Sequence, residues 1–176
     1  MHLAELNVAQ MIAPLDSPVM ADFVADLERI NLLAESAPGF VWRLKGGDGP
    51  TDVVEDYLDD SLLVNISVWE SRESLWNFTY RSAHLPIMKR RREWFRHLRD
   101  PYMVMWWIPE GTIPTLAEAM DRLRRLREEG PGPEAFTFRD FYEPSGERRL
   151  DAADRRPAPG AVATAEQEAL AEQAAG

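Results

Sequence analysis

From the N-terminus, residues 2–9 alternate, with Ala4, Leu6 and Val8 on one side and Leu3, Glu5 and Asn7 on the other. A period of two is the signature of a half-buried strand. Pro14 and Asp16-Ser17-Pro18 then make a turn and a helix start, with Ser17 as N-cap and Pro18 at the first helical position, where its missing N–H costs nothing. The helix runs to about Ser36, buries Phe23, Val24, Leu27 and Ile30 with Leu33 or Ala34, and stops at Pro38-Gly39. Residues 40–45 read as a second strand. A long acidic segment, 46–60, follows, and loops of that length are more often functional or mobile than inert. Residues 62–69 make a third strand that sets Leu62, Val64, Ile66 and Val68 against Asn65, Ser67 and Trp69.

Ser71 caps a second helix, interrupted at Pro86 before a basic run, and residues 102–108 form a fourth strand. Thr115-Leu-Ala-Glu118 is a capping box, in which hydroxyl and carboxylate each satisfy a free amide. Leu116, Ala119, Met120, Leu123 and Leu126 give the helix that follows an apolar stripe, ending near Gly130. Residues 136–142 (FTFRDFY) read as a fifth strand. Beyond them large apolar residues thin out, which predicts one domain over 1–143 and a polar, Ala-rich, disordered tail over 144–176.

The order β, α, β, β, α, β is the split βαβ, ferredoxin-like α+β plan, here with an extra helix and strand. Helices cover one face of such a sheet. The other, mixed face bears Asn65 and Trp69 on the third strand and Met103, Met105 and Trp107 on the fourth, and would leave an apolar patch in water. A second copy packed sheet to sheet would bury it, so the expectation is a homodimeric α+β barrel with a pocket in its lumen.

Composition narrows the classes. A chain of 176 residues, 45% hydrophobic and 28% charged, is an ordinary globular protein with one core. No apolar run approaches the roughly 18 residues of a membrane span, and residues 1–10 alternate where a leader would be basic then apolar; a cytoplasmic location with no membrane partner is expected. The chain has no cysteine, which removes disulfides and thiolate chemistry, and the spacing of His2, His84 and His97 matches no zinc motif. A net charge of −10 argues against nucleic acid as a partner. Locally the balance reverses: Arg81, Lys89, Arg90, Arg91, Arg92, Arg96 and Arg99 stand against Glu93 alone within 81–99. Most of that run reads as a solvated face.

If the helix is merely kinked at Pro86, His84 projects on the side of Ile87, Arg91, Trp94, Phe95 and Leu98. A histidine there is a general base, a haem ligand or a hydrogen-bonded structural residue. Arg91 falls in the apolar arc, where an unpaired charge is costly, so it should meet a carboxylate, either Glu5 or a ligand acid. Six tryptophans in one small domain point towards a planar ligand, although each alone is more often core.

The strings WNFTYRSAHLPIMKRRREWF, YMVMWWIPEGTIPTLAEAMDRLRRLREEGP and AFTFRDFY resemble the bacterial family called domain of unknown function 3291, in the dimeric α+β barrel superfamily. The resemblance covers roughly residues 2–143. Its wider relatives include cofactor-independent antibiotic-biosynthesis monooxygenases, haem-degrading monooxygenases, chlorite dismutase-like haem proteins and aldoxime dehydratases, so it implies a fold and not a reaction. The haem-degrading branch uses an asparagine, a tryptophan and a histidine in the order that Asn7, Trp69 or Trp76, and His84 take here. The cofactor-free branch implies an aromatic phenol- or quinol-like substrate, with Asn7, His84 and Arg91 as candidate catalytic groups and Asn65, Trp69, Trp76, Tyr80 and Trp107 as candidate binding groups. The resemblance therefore favours oxygenation without a cofactor, leaves haem on His84 as the alternative, and admits a non-catalytic ligand-binding or scaffold protein.

Overall fold

A computed structural model describes residues 1–45 and 61–149. The acidic segment 46–60, where a functional loop was expected, and residues 150–176 of the expected disordered tail lie outside the described residues, whereas 144–149 are described, with Arg149 bonded to Glu143 and Glu73. Four strands, β1 (His2–Gln10), β2 (Phe40–Arg43), β3 (Leu62–Trp69) and β4 (Met103–Ile108), form an antiparallel sheet in the order β2-β3-β1-β4. The helices are α1 (Ala21–Glu35), α2 (Arg72–Arg81), α3 (His84–Arg90) and α4 (Leu116–Glu129). This is the ferredoxin-like α+β plan with α4 added after β4.

The alternation on β1 decides both faces of the sheet. Leu6 stands opposite Ile66 and Val104, Ala4 opposite Val68 and Trp106, and these aliphatic positions pack against Ala119, Leu123 and Leu126 of α4. One residue out of step, Glu5 stands opposite Ser67 and Met105, and Asn7 opposite Asn65 and Met103. That mixed face lies beneath α1, α2 and the aromatics Phe136, Phe138 and Phe141. A register shift between Phe40 and Trp42 turns Phe40 to the mixed face and Trp42 to the α4 face. A third cluster closes the far end, where Met11, Met20, Phe23 and Trp94 meet.

This arrangement changes the reason for expecting a second copy. The mixed face is not bare; the helices lie on it. The aliphatic face, which the ferredoxin-like helices leave open, is covered by α4 over β1 and β4, while Trp42, Leu44, Leu62 and Val64 toward β2 and β3 are only partly buried.

Four local expectations also change. The helix breaks at Ser82, whose backbone is extended (φ −111°, ψ −178°), and not at Pro86. Ser82 Oγ donates to the Phe78 carbonyl at 2.5 Å and accepts the His84 N–H at 3.1 Å, so this one side chain ends α2 and starts α3. Pro86 sits in the first turn of α3, where its missing donor is tolerated. Residues 136–142 do not form a strand: Phe136 exchanges two backbone hydrogen bonds with Met105, at 2.7 and 2.9 Å, after which the chain turns, with Thr137 Oγ1 accepting the Asp140 N–H at 3.2 Å. At α4, Thr115 Oγ1 accepts the Glu118 N–H at 3.1 Å, but the Glu118 carboxylate turns to Trp106 Nε1, also at 3.1 Å, so only half of the capping box forms. Val24 is 42% exposed, because α1 buries a narrower stripe through Phe23 and Ala34.

Gly39 joins α1 to β2 at φ +78°, and a Cβ there would collide with Ser74 Oγ in the first turn of α2. The turn after α1 comes against the first turn of α2 at a point only glycine allows. Among the described residues no helix is long and apolar enough to cross a membrane.

Candidate functional site

Beneath α1, α2 and α3 the mixed face is not filled. A cavity of about 210 Å³ remains, floored by Glu5, Asn7, Asn65, Ser67 and Trp69 from the sheet, and walled by Ile30, Asn31 and Ala34 of α1, Phe78, Thr79 and Tyr80 of α2, and His84 and Met88 of α3. The rings of Trp69, Phe78 and His84 stack in a row, with centroids 5.1 Å and then 4.9 Å apart and planes 27° and 10° from parallel. Phe40 meets Trp69 edge-on at 5.3 Å. Such a row makes a flat wall suited to a planar ligand.

The polar floor is centred on Glu5. It is 6% exposed, Oε1 accepts Asn7 Nδ2 at 2.9 Å, and Oε2 accepts Ser67 Oγ at 3.0 Å. Among the described residues it makes no ion pair. Burial raises its pKa to about 7, against the smaller opposing pull of the Asn7 and Ser67 hydrogen bonds. A carboxyl in that range takes and returns protons near neutrality. The Tyr80 phenol is pushed above its usual range, by burial first and then by Tyr102 and the charge of Glu5.

His84 is held below its ordinary pKa by burial, which outweighs the pull of the Thr79 backbone, and is therefore neutral at pH 7. Its Nδ1 is buried with no hydrogen-bond partner among the described residues. Such a nitrogen suits a ligand or a metal, so the fit of haem follows from the room around it. A cavity of roughly 150 Å³ takes benzene, and one of about 210 Å³ has room for a one- or two-ring molecule. The described cavity is open to solvent, so this space favours a small ring and leaves haem on His84 as the alternative. Among the described residues no group of His, Asp and Glu stands ready for a metal ion.

Of the residues singled out from the sequence, Asn7, Asn65, Trp69, Tyr80, His84 and Arg91 line this one cavity. Trp76 and Trp107 do not. Trp76 packs on Tyr80 and Phe138, its ring centroids 4.3 and 5.1 Å away, and Trp107 Nε1 donates to the Tyr142 carbonyl at 2.8 Å. Arg91 does not pair with Glu5. Its Nη1 donates to Tyr102 Oη at 2.8 Å and the guanidinium lies 4.4 Å from that ring's centroid. Glu5 and Ser67 went unassigned as site residues, although both share a period-two face with residues that were singled out: Glu5 with Asn7, and Ser67 with Asn65 and Trp69. A glutamate at the middle of a strand destined for burial was the available signal.

The family model described as domain of unknown function (DUF3291) matches residues 2–152. The chain belongs to the DUF3291 family. No curated protein matches it. Two solved structures similar to this DUF3291 chain are of SnoaB, a cofactor-independent oxygenase from Streptomyces nogalater, and a mutant of it. Each is 18% identical and covers 65% of this chain and 98% of its own, with TM-scores of 0.42 and 0.41.

Proposed function

We propose that this DUF3291 protein is a small-molecule enzyme that binds a phenol- or quinol-like ring in the cavity and transfers its hydroxyl proton to Glu5, the first step of oxygenation without a cofactor. The observation that carries this reading is a buried carboxylate, unpaired by any cation among the described residues, on the floor of a ring-sized cavity. Burying such a group costs stability, and a role in proton transfer accounts for it. Removing the proton makes the ring electron-rich, and the anion reacts with dioxygen. The balanced outcome is phenol plus O₂ giving quinone plus water: one oxygen atom bonds to a ring carbon, and the other leaves as water with the two hydrogens lost. The stacked wall orients the ring, Asn7 and Ser67 hold the carboxylate, and the Tyr80 phenol and neutral His84 imidazole offer hydrogen bonds to substituents. The described walls of the cavity all come from one chain.

Oxygen uptake with a panel of one- and two-ring phenols and hydroquinones at pH 8 tests the reading, alongside calorimetric binding. Turnover that Glu5→Gln abolishes is the expected result. Rings that bind without consuming oxygen would make this a binding protein. Haemin tests the alternative: a Soret band that His84→Ala abolishes would favour haem over oxygenation without a cofactor.

A further inference from the structure

Three hydrogen bonds at the sheet floor all run towards Glu5. Trp69 Nε1 donates to Ser67 Oγ at 3.0 Å, Ser67 Oγ donates to Glu5 Oε2 at 3.0 Å, and Asn7 Nδ2 donates to Glu5 Oε1 at 2.9 Å. An indole nitrogen only donates, whereas a serine hydroxyl both donates and accepts and its hydrogen rotates to suit. With one Ser67 lone pair held by Trp69, the hydroxyl hydrogen is directed onto the carboxylate. Trp69 cannot yield, being 0% exposed and held between Phe78 and Phe40.

We propose that Ser67 and Trp69 are positioning residues for Glu5, the Trp69 N–H acting through Ser67 to pin the inner side of the carboxylate and leave its cavity side to take and return the substrate proton. The proposal rests on the reading of Glu5 as the proton acceptor. An ionised carboxylate has about four acceptor positions; Asn7 and Ser67 each occupy one. Asn7 could accept the proton only by flipping its whole amide to present Oδ1, since an amide nitrogen does not accept. Ser67 can reverse only by turning its hydrogen away from Oε2, which the indole donor disfavours. A proton arriving on Glu5 therefore resides on the cavity side, within reach of the ring it came from. Trp69, expected from sequence to bind substrate, contributes its polar edge to this chain of donors and its ring to the stacked wall.

The other titratable groups lining the cavity are Arg43 from β2, Tyr80 from α2, His84 from α3, and Arg91 and Tyr102. Arg43 Nε is 2.9 Å from Glu35 and Arg91 is bonded to Tyr102, so neither neutralises Glu5.

The Glu5 carboxyl carbon, followed by NMR in ¹³C-glutamate-labelled protein as pH is varied, tests the relay without substrate. Ser67→Ala is expected to move the Glu5 midpoint upward by about one to two pH units, the equivalent of one hydrogen bond to a charged group, and Ser67→Thr to restore it. Trp69→Phe should move it upward by less, and should add nothing in the Ser67→Ala background. An unmoved midpoint in Ser67→Ala, or a Trp69→Phe effect that persists in the double variant, would overturn the proposal. Where Ser67→Ala fails to fold, Trp69→Phe decides alone, and an unmoved midpoint overturns it. The two readings fail separately: an unmoved midpoint with oxygen uptake intact sinks the relay, while oxygen uptake indifferent to Glu5→Gln sinks the enzymatic reading.

Discussion

The α4 face and the cavity face of the sheet are built from alternate residues of the same strands, yet Leu6, Ile66 and Val104 on the first are fully buried among aliphatic neighbours, while Glu5, Asn7 and Asn65 on the second border open space. Each face holds a buried tryptophan whose N–H needs an acceptor. Trp106 Nε1 finds it in Glu118 on α4, a partly exposed carboxylate that also stands 3.6 Å from Arg122. Trp69 Nε1 finds it in Ser67, which donates its own hydrogen bond to a buried carboxylate with no cation beside it among the described residues. The same requirement is met on one face by an arrangement that only stabilises, and on the other by one that positions a group costly to bury. The second arrangement is the one expected of a site, because a fold does not retain an unpaired buried carboxylate for its packing.

That contrast can be broken most directly at Glu5. Glu5→Gln keeps the shape and removes the proton acceptor, and turnover of an accepted ring is expected to fall by about 10²–10⁴-fold, the usual contribution of a general base. Retained turnover would make the cavity face no more functional than the other. Next in size, Leu123→Ala under the α4 face should cost about 2–5 kcal/mol in urea unfolding and leave ring affinity unchanged. A matching loss of affinity would show that the two faces are not independent.

The third expectation concerns pH. Glu5 titrates near 4.5 when unfolded and at about 7 when folded, so between those values the folded state holds the extra proton and stability falls as pH rises. The fall amounts to about 3 kcal/mol by pH 8, and Glu5→Gln should abolish it, making the variant the more stable protein at pH 8 and leaving little difference at pH 4. Chemical denaturation at several pH values measures it. The smallest effect is expected at the α4 cap, where Thr115→Ala removes the hydroxyl that takes the Glu118 N–H. It should lower stability by about 1 kcal/mol with no change in binding, and a larger loss would mean that α4 covers its face less securely than the packing implies.

Much of this was legible in the chain. The period-two runs in residues 2–9 and 62–69 placed β1 and β3 and separated Leu6 from Asn7, and the apolar stripe from Leu116 to Leu126 marked α4. Where the reading went astray, a local signal had two structural answers. Pro86 marks a helix break or a first turn equally well, and the Ser82 hydroxyl decided between them. The aromatics of 136–142 alternate like a strand, yet the Thr137 and Asp140 pairing turns the chain after a single bridge. Projecting one helix through that stretch placed Arg91 where it would need a carboxylate, whereas α3 gives way to a 3₁₀ turn at Arg91–Glu93 and the side chain settles on Tyr102.

The sequence by itself determined which residues share a face, because that follows from a period of two or of 3.6 along a few neighbours. Only the tertiary structure decided what each face meets: that α4 packs on the aliphatic side over β1 and β4, that the helices leave space over the mixed side, and that Glu5 lies opposite Ser67. Those facts depend on strand register and on elements more than sixty positions apart, Ser67 bonding Glu5 across a separation of 62 residues. A glutamate read as a neighbour of Asn7 became the centre of a cavity when pairing with β3 supplied its hydrogen bonds and burial kept the water away.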